Sequence, residues 1–178
     1  MEIDGKVQYV YVLKRPLCEE FIQRMSHSYE IVMFTASLSK YAEPLYSKLD
    51  RQGVTATLLY REHCTFYNGI FVKDMARLGR PLSDVIIIDN SPSSYLFQPE
   101  NALPCTSWYD DPSDRELNEL VPILEKLAIV RDVRNFLPKI VEENKVDFKK
   151  AKEVLNIGQL MNPEDDIQQL RINTVFTP

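Results

Sequence analysis

Three polar positions each follow or interrupt an apolar run, and their side chains together suit a phosphoryl group. Thr35 follows "VMF", Lys73 lies in "FVKDMARLG", and Asp89 with Asn90 ends the run "VIII". The hydroxyl and the ammonium can donate hydrogen bonds to phosphoryl oxygens, and the ammonium offsets their charge. The carboxylate and the amide offer oxygen ligands, which suit a hard cation such as Mg²⁺.

Each of these residues also has a purely structural explanation. Thr35 could cap a helix, Lys73 could be a solvated charge, and Asp89 could form the next turn together with Ser91. The chemical interpretation is favoured by their joint occurrence in this order. It is also favoured by the position of Asp89 and Asn90 after an apolar strand, because ligands of open parallel sheets collect at the carboxyl ends of strands.

The order of the predicted elements indicates the fold that positions these residues. The run at 85–88 is typical of a strand that is covered on both faces, as in a parallel sheet. Strands are predicted at 6–13, 29–37, 85–94 and 102–111, and helices at 17–29, 38–53, 114–128 and 132–142. This alternation predicts the α/β class, with a Rossmann-like, mostly parallel sheet flanked by helices.

Turn and cap residues refine this prediction. Asn68-Gly69 between two β-rich runs predicts a β-hairpin insertion at about 55–73. Gly53 is expected to close the second helix, and Ser113 or Asp114 to cap the helix at 114–128. From about residue 156 the chain is polar and irregular, which predicts a loosely attached tail.

We therefore divide the 178 residues into an α/β domain at 1–130 and a C-terminal helical extension with a tail at 131–178.

A net charge of −5 argues against direct nucleic-acid binding through phosphate neutralisation. Three scattered cysteines favour a reducing compartment over a disulfide framework or a zinc site. No run of eighteen apolar residues and no signal peptide are present, so we expect a nuclear or cytoplasmic protein without a membrane span.

Several segments together resemble the small phosphatases that act on the C-terminal domain of RNA polymerase II and their Dullard/Nem-type relatives. This family is part of the haloacid-dehalogenase-like superfamily. The resemblance covers about residues 3–128, and its most specific segments are "FTAS", "VKDMARLGR" and "IIIDNSP". Residues 129–178 have no identifiable part in it.

The resemblance implies a magnesium-dependent protein serine/threonine phosphatase that works through an aspartyl-phosphate. An aspartate of the family attacks phosphorus, and a second one, two places on, acts as acid and base. By position, Thr35 would bind the phosphoryl group, and Lys73 would steady that group and the nucleophile. Asn90 would ligate Mg²⁺, and Asp89 would support the site electrostatically. Arg61 matches a family arginine near the substrate phosphate, and the alternative, which is less favoured, is a surface arginine beside the hairpin.

The family's nucleophile motif, Asp-x-Asp-x-Thr on an apolar strand, is absent from the sequence. Glu2 and Asp4 in "MEIDGK" do not replace it, because this stretch reads as the turn of a hairpin that leads into 6–13. The nucleophile strand lies in the middle of the family's sheet, and each buried backbone group left unpaired costs about 1–3 kcal/mol. The free-energy cost of a missing central strand could therefore exceed a domain's net stability of about 5–15 kcal/mol.

Three explanations for the absence remain open. The motif could lie upstream of Met1, the chain could be catalytically inactive, or another segment could fill the sheet. "INTVFTP" at the C-terminus is apolar enough to fill it but contains no carboxylate.

The candidate functions follow from these explanations. They are a phosphatase acting on a phosphoserine or phosphothreonine protein such as the polymerase tail, a phosphopeptide-binding module without turnover, and a scaffold. The unmatched C-terminal extension is a candidate site for a regulatory partner.

Overall fold

Within residues 2–3, 6–7, 12–144 and 172–176, which the structure describes, the chain forms nine strands and four α-helices. The structure is a computed structural model. The strands are β1 (Glu2–Ile3), β2 (Lys6–Val7), β3 (Tyr29–Phe34), β4 (Thr55–Leu59), β5 (Thr65–Tyr67), β6 (Ile70–Val72), β7 (Val85–Asp89), β8 (Ala102–Pro104) and β9 (Ile172–Phe176). The helices are α1 (Cys18–Met25), α2 (Ser39–Leu49), α3 (Glu116–Leu127) and α4 (Leu137–Asn144).

Five parallel strands form the main sheet, in the order β4-β3-β9-β7-β8. All five residues of β7 are buried, as the continuous apolar run predicts. The α/β, Rossmann-like prediction is therefore confirmed. The arrangement places the carboxyl ends of β3 and β7 on the same edge of the sheet, on either side of β9.

The two faces of the sheet have separate cores. Alternate residues of β3 and β7, such as Ile31 and Ile86, pack with buried side chains from all four helices. On the opposite face Val32 and Ile87 pack with Met75 and other residues of the connecting segments. This alternation is the period of two that a strand imposes on its side chains.

β9 takes the central position of the sheet. Its backbone is in register with β3 from Tyr29 to Met33 and with β7 from Val85 to Ile88. The prediction of a loosely attached tail is therefore wrong for 172–176, while 145–171 and 177–178 lie outside the described residues. Among the explanations for the absent motif, this arrangement corresponds to another segment filling the sheet.

The hairpin is confirmed, but it is shorter than predicted. β5 and β6 pair antiparallel around Asn68 and Gly69, whose φ angles of 46° and 84° are those of a two-residue turn with both central residues left-handed. The hairpin occupies 65–72 and not 55–73, because β4 pairs parallel with β3 as an edge strand of the main sheet.

Two N-terminal element boundaries differ from the prediction. β2 ends at Val7, residues 12–15 are irregular, and 8–11 lie outside the described residues, so the strand predicted at 6–13 is confirmed only at its start. α1 begins at Cys18, after Leu17 in a left-handed conformation with a φ of 63°, and ends at Met25 rather than residue 29. The hairpin formed by β1 and β2 matches the turn read from "IDGK".

The end of α2 and the start of α3 differ from the predicted caps. α2 ends at Leu49 because the Asp50 carboxylate accepts from the backbone N–H groups of Val54 and Thr55, at 3.0 and 2.7 Å. Gly53 lies in that turn rather than directly after the helix. α3 begins at Glu116 without a side-chain cap, so the cap predicted at Ser113 or Asp114 is wrong.

The predicted helix at 132–142 is confirmed as a short 3₁₀ turn followed by α4. Val133, Leu137 and Ile140 are fully buried in the core cluster that also contains α1 and α3. The division of the chain at residue 130 stays a prediction. No helix of the described residues is long and apolar enough to cross a membrane.

Candidate active site

A buried ion pair lies at the C-terminal edge of the sheet. Lys73 Nζ donates to Asp89 Oδ2 at 2.8 Å, and the two residues are 4% and 2% exposed. Asp89 ends β7, and Lys73 directly follows β6, where its backbone N–H donates to the Ser94 carbonyl at 2.7 Å. Lys73 is therefore not a solvated charge.

The pKa of the Lys73 ammonium is set by two opposing effects of its surroundings. Burial lowers the pKa of Lys73, and the nearby Asp89 carboxylate acts in the opposite direction. Lys73 Nζ also lies 5.9 Å from the centroid of the Phe34 ring. Since Phe34 ends β3 and Asp89 ends β7, the ammonium spans the two strands that flank β9.

The side chains of Thr35 and Asp89 each also form a hydrogen bond within a local turn. The Thr35 hydroxyl oxygen accepts from the Ser37 N–H at 3.1 Å, and Asp89 Oδ1 accepts from the Ser91 N–H at 2.8 Å. Thr35 does not cap α2, whose N-cap is Leu38. A threonine hydroxyl can accept and donate at the same time, so this turn is compatible with a chemical role of Thr35.

Arg61 belongs to the same edge of the sheet. Its Nε donates to the Ala36 carbonyl at 2.6 Å, next to Thr35, and its guanidinium carbon lies 5.0 Å from the Phe71 ring centroid. The side chain is half-buried. These contacts fix the guanidinium between the loop after β3 and the hairpin that leads to Lys73.

Asn90 faces outward beside this pair. It is exposed, and its Nδ2 donates to the Ser107 hydroxyl at 2.8 Å. In this orientation Oδ1 remains as an acceptor or ligand. The structure thus brings the Asp89–Asn90 step and Lys73 together, with Thr35 and Arg61 on the neighbouring loop.

These residues fit a magnesium ion in part. Asn90 Oδ1 can contribute one ligand, whereas each oxygen of Asp89 already accepts a hydrogen bond and Lys73 offsets its charge. No cluster of three or more His, Cys, Asp or Glu side chains occurs in the described part of the chain. Magnesium commonly keeps several waters and adds substrate phosphate oxygens, so an incomplete protein shell is compatible with binding.

The central strand brings no carboxylate to this edge. β9 reads "INTVF" and ends at Phe176, in register with Met33 and Ile88. The described residues therefore provide groups that can bind a phosphoryl group, while β9 does not provide a nucleophile of the Asp-x-Asp type.

The sequence analysis did not detect a polar network that holds the loop after β8. Arg15 donates to both carboxylate oxygens of Asp114, at 2.8 and 2.7 Å, and to Glu116 Oε2 at 2.5 Å. It also donates to the Thr106 carbonyl at 2.9 Å, next to the Ser107 that contacts Asn90. The partners are up to 101 residues apart, so no local sequence pattern reveals them.

This network predicts a specific acid dependence of stability. The Arg15 hydrogen bond lowers the pKa of Asp114 below its usual value. The stabilisation is therefore complete above the unfolded pKa of about 3.9 and is lost as the pH falls through the lower folded pKa. We expect Asp114→Asn to cost about 1–2 kcal/mol near pH 6 and to weaken the fall in stability at acid pH.

Urea unfolding between pH 2.5 and 6 measures this effect. Asp110→Asn is the matched control, since Asp110 is an exposed carboxylate of the same loop. Parallel pH profiles for wild type and Asp114→Asn would show that the ion pair does not contribute to stability.

Comparison with known proteins assigns the family. The family model described as "NLI interacting factor-like phosphatase" matches residues 1–134. The chain is 54% identical over 140 residues to the CTD small phosphatase-like protein of Homo sapiens, covering 79% of the chain and 51% of the relative. It is 53% identical over 137 residues to the Phosphatase Herzog of Drosophila melanogaster, covering 77% of the chain and 39% of the relative.

A third relative has a name that states its substrate. The Homo sapiens carboxy-terminal domain RNA polymerase II polypeptide A small phosphatase 1 is 53% identical over 137 residues, covering 77% of the chain and 52% of the relative. The chain spans about half the length of the curated relatives it matches, or less. The matched region contains Thr35, Arg61, Lys73, Asp89 and Asn90, and the chain belongs to the NLI interacting factor-like phosphatase family.

Proposed function

We propose that the protein is a magnesium-dependent phosphatase of phosphoserine or phosphothreonine in a protein substrate, with the RNA polymerase II C-terminal domain as the first substrate to test. The observation that carries the proposal is the buried Lys73–Asp89 pair at the carboxyl ends of the strands, beside Asn90. The names of the relatives support the substrate class.

The side chains of the site have complementary roles in this proposal. The Lys73 ammonium has three N–H donors and gives one to Asp89, so two remain for phosphoryl oxygens. The Thr35 hydroxyl and the Arg61 guanidinium add donors from the adjacent loop. Asn90 Oδ1 would hold Mg²⁺, which when bound supplies positive charge to the phosphoryl oxygens.

Turnover additionally requires a nucleophile. We propose that it is an aspartate at the C-terminal end of the central strand position, as in the aspartyl-phosphate scheme of the family. β9 occupies this position without a carboxylate. Hydrolysis by this protein would therefore depend on a segment that places an aspartate there.

The position of β9 favours a second candidate function, phosphopeptide binding without turnover. In this case Thr35, Arg61 and Lys73 bind the phosphate, and β9 completes the sheet only structurally. Both candidates require that phosphorylation strengthens peptide binding. Only the phosphatase also hydrolyses the phosphate ester.

One set of measurements tests both candidates. Titration calorimetry compares a phosphoserine peptide with its serine form for wild type, Thr35→Val and Thr57→Val. Thr57 is exposed on the edge strand β4, so its substitution is a matched control. We expect at least about tenfold tighter binding of the phosphorylated peptide in wild type and in Thr57→Val. We expect this preference to be reduced in Thr35→Val, because one charge-assisted hydrogen bond contributes about 1.5–3 kcal/mol while Lys73 and Arg61 still bind the phosphate.

Hydrolysis of an aryl phosphate with and without Mg²⁺ then separates the candidates. The chain is compared with a variant extended before Met1 by the Asp-x-Asp-x-Thr segment of a relative, and with the same extension carrying Asn in place of the first Asp. Activity only with the intact Asp supports the phosphatase. Inactivity of all three proteins, with phosphate-dependent binding retained, supports the binding module.

A nuclear or cytoplasmic location and a regulatory partner of the C-terminal extension are parts of the same proposal. Cys18, Cys64 and Cys105 are free thiols, which supports a reducing compartment. A fluorescent fusion of the chain tests the location directly.

A further inference from the structure

A buried glutamine side chain joins the segment after Lys73 to the loop after β7. Gln98 is 7% exposed, and its Nε2 donates to Asp74 Oδ1 at 2.8 Å. The backbone N–H of Met75 donates to Gln98 Oε1 at 3.2 Å. Both polar atoms of the amide therefore hold the two residues that directly follow Lys73.

The partners of this side chain require an amide at position 98. A backbone N–H can only donate and an ionised carboxylate can only accept, so Oε1 must face Met75 and Nε2 must face Asp74. A carboxylate at position 98 would oppose that of Asp74, and an apolar side chain would leave both partners without this hydrogen bond. Since Met75 is fully buried, an unpaired N–H there is unfavourable.

The same loop holds Lys73 at two further points. The Lys73 backbone N–H donates to the Ser94 carbonyl at 2.7 Å, and the Lys73 ammonium donates to Asp89 Oδ2 at 2.8 Å. Asp89, Ser94 and Gln98 all belong to the stretch that runs from the end of β7 to residue 98. The backbone at Lys73, the backbone at Met75 and the ammonium are thus all attached to one stretch of chain.

We propose that Gln98 is a positioning residue for Lys73, which holds the ammonium between Asp89 and the place of the phosphoryl group. Its amide is buried and both of its polar atoms are engaged, so it acts through the segment of Lys73 and not through contact with substrate. The effect on phosphate binding rests on the proposed function. The effect on the position of Lys73 does not depend on it.

Acetylation of lysine side chains measures the position of Lys73 without a ligand. N-hydroxysuccinimidyl acetate modifies the protein, and mass spectrometry follows the rate at Lys73 relative to that at the exposed Lys139. Lys73 is 4% exposed, so its modification requires local opening. In Gln98→Leu we expect a rate at least about fivefold higher at Lys73, because the loss of a buried hydrogen bond makes this opening easier.

Asn101→Leu is the matched control for Gln98→Leu. Asn101 is a fully buried amide in the turn that follows Gln98, and its Nδ2 donates to the carbonyls of Leu82 and Val85 at 2.6 and 2.7 Å. These hydrogen bonds hold other parts of the chain than the segment 73–75. We expect Asn101→Leu to lose stability in urea unfolding, while acetylation of Lys73 stays within about twofold of wild type.

A charge exchange between positions 74 and 98 distinguishes the hydrogen bond from packing. Gln98→Glu keeps the shape of the side chain but places a carboxylate against Asp74, so we expect acetylation of Lys73 to be at least about fivefold faster. Asp74→Asn in addition replaces the like charge with an N–H donor, and the rate is expected to return to within about twofold of wild type. This pair of variants carries the test if Gln98→Leu does not fold.

The phosphoserine and serine peptides connect the position of Lys73 with phosphate binding. We expect the preference for the phosphorylated peptide to fall at least about fivefold in Gln98→Leu and Gln98→Glu, because the ammonium no longer faces the phosphate. Asn101→Leu is expected to retain the preference. The combination of Gln98→Glu with Asp74→Asn is expected to restore it.

The outcomes separate this inference from the proposed function. Unchanged acetylation of Lys73 in the folded Gln98 variants, equal acceleration in Asn101→Leu, or no recovery after the charge exchange would overturn the positioning role. Faster acetylation with an unchanged preference for phosphate would overturn the link from Gln98 to binding. If acetylation follows the prediction but wild type binds both peptides equally, Gln98 positions Lys73 and the proposed function is wrong.

Discussion

Replacement of Lys73 by methionine is expected to lower the free energy of unfolding by about 3–5 kcal/mol, because it leaves a buried carboxylate without its partner. Asp89 is 2% exposed and receives the Lys73 ammonium at 2.8 Å. Methionine preserves the length of the side chain, so the loss is mainly electrostatic. Urea unfolding at pH 7 measures it.

Two controls distinguish the ion pair from packing. Lys14→Met alters a lysine whose ion pair with Glu19 is partly exposed, and we expect a change below about 1 kcal/mol. The double variant Lys73→Met with Asp89→Leu removes both charges and should recover most of the lost stability. A double variant less stable than Lys73→Met would show that the carboxylate has a structural role beyond the pair, through its bond to the Ser91 N–H.

Replacement of Val175 by proline is expected to cost at least about 3 kcal/mol, because it interrupts the central strand of the sheet. Val175 is in register with Val32 of β3 and Ile87 of β7. Proline removes a ladder donor and is not tolerated in central strands, and each buried backbone group left unpaired costs about 1–3 kcal/mol. Thermal unfolding and amide exchange of Val32 and Ile87 report the loss.

The control for this variant is Val175→Thr, which keeps the backbone N–H and the β-branched shape. We expect it to lose less stability than Val175→Pro, because the ladder hydrogen bond of residue 175 is kept. If Val175→Pro and Val175→Thr have the same melting temperature, β9 does not contribute to the sheet, and the central position must be assigned to another segment.

The features that the sequence predicted correctly are those encoded locally. The apolar run before Asp89 predicted a buried strand, and all of β7 is buried. Asn68-Gly69 predicted the hairpin, because a two-residue turn with left-handed central residues favours this pair. The position of Asp89 after an apolar run predicted that it lies at the carboxyl edge of the parallel sheet, and Lys73 reaches it from the end of the hairpin strand β6.

The features that the sequence did not predict depend on distant partners. The sequence analysis left "INTVFTP" as one of several segments that could fill the sheet, because the place of β9 is set by its pairing with β3 and β7 and not by its own pattern. Asp114 has the residue type of a helix cap, but Arg15, 99 residues away, binds its carboxylate instead. The hairpin was predicted too long because a parallel edge strand and a hairpin strand have the same local pattern.

The central claim is that a phosphoryl group binds at the edge formed by Thr35, Arg61, Lys73 and Asn90. Its most direct test is the calorimetric titration of phosphoserine and serine peptides into wild type, Thr35→Val and Thr57→Val. We predict that wild type and Thr57→Val bind the phosphorylated peptide at least about tenfold tighter than the serine peptide, and that this difference is reduced in Thr35→Val. Equal affinity for the two peptides in wild type, or an undiminished preference in Thr35→Val, would contradict the claim.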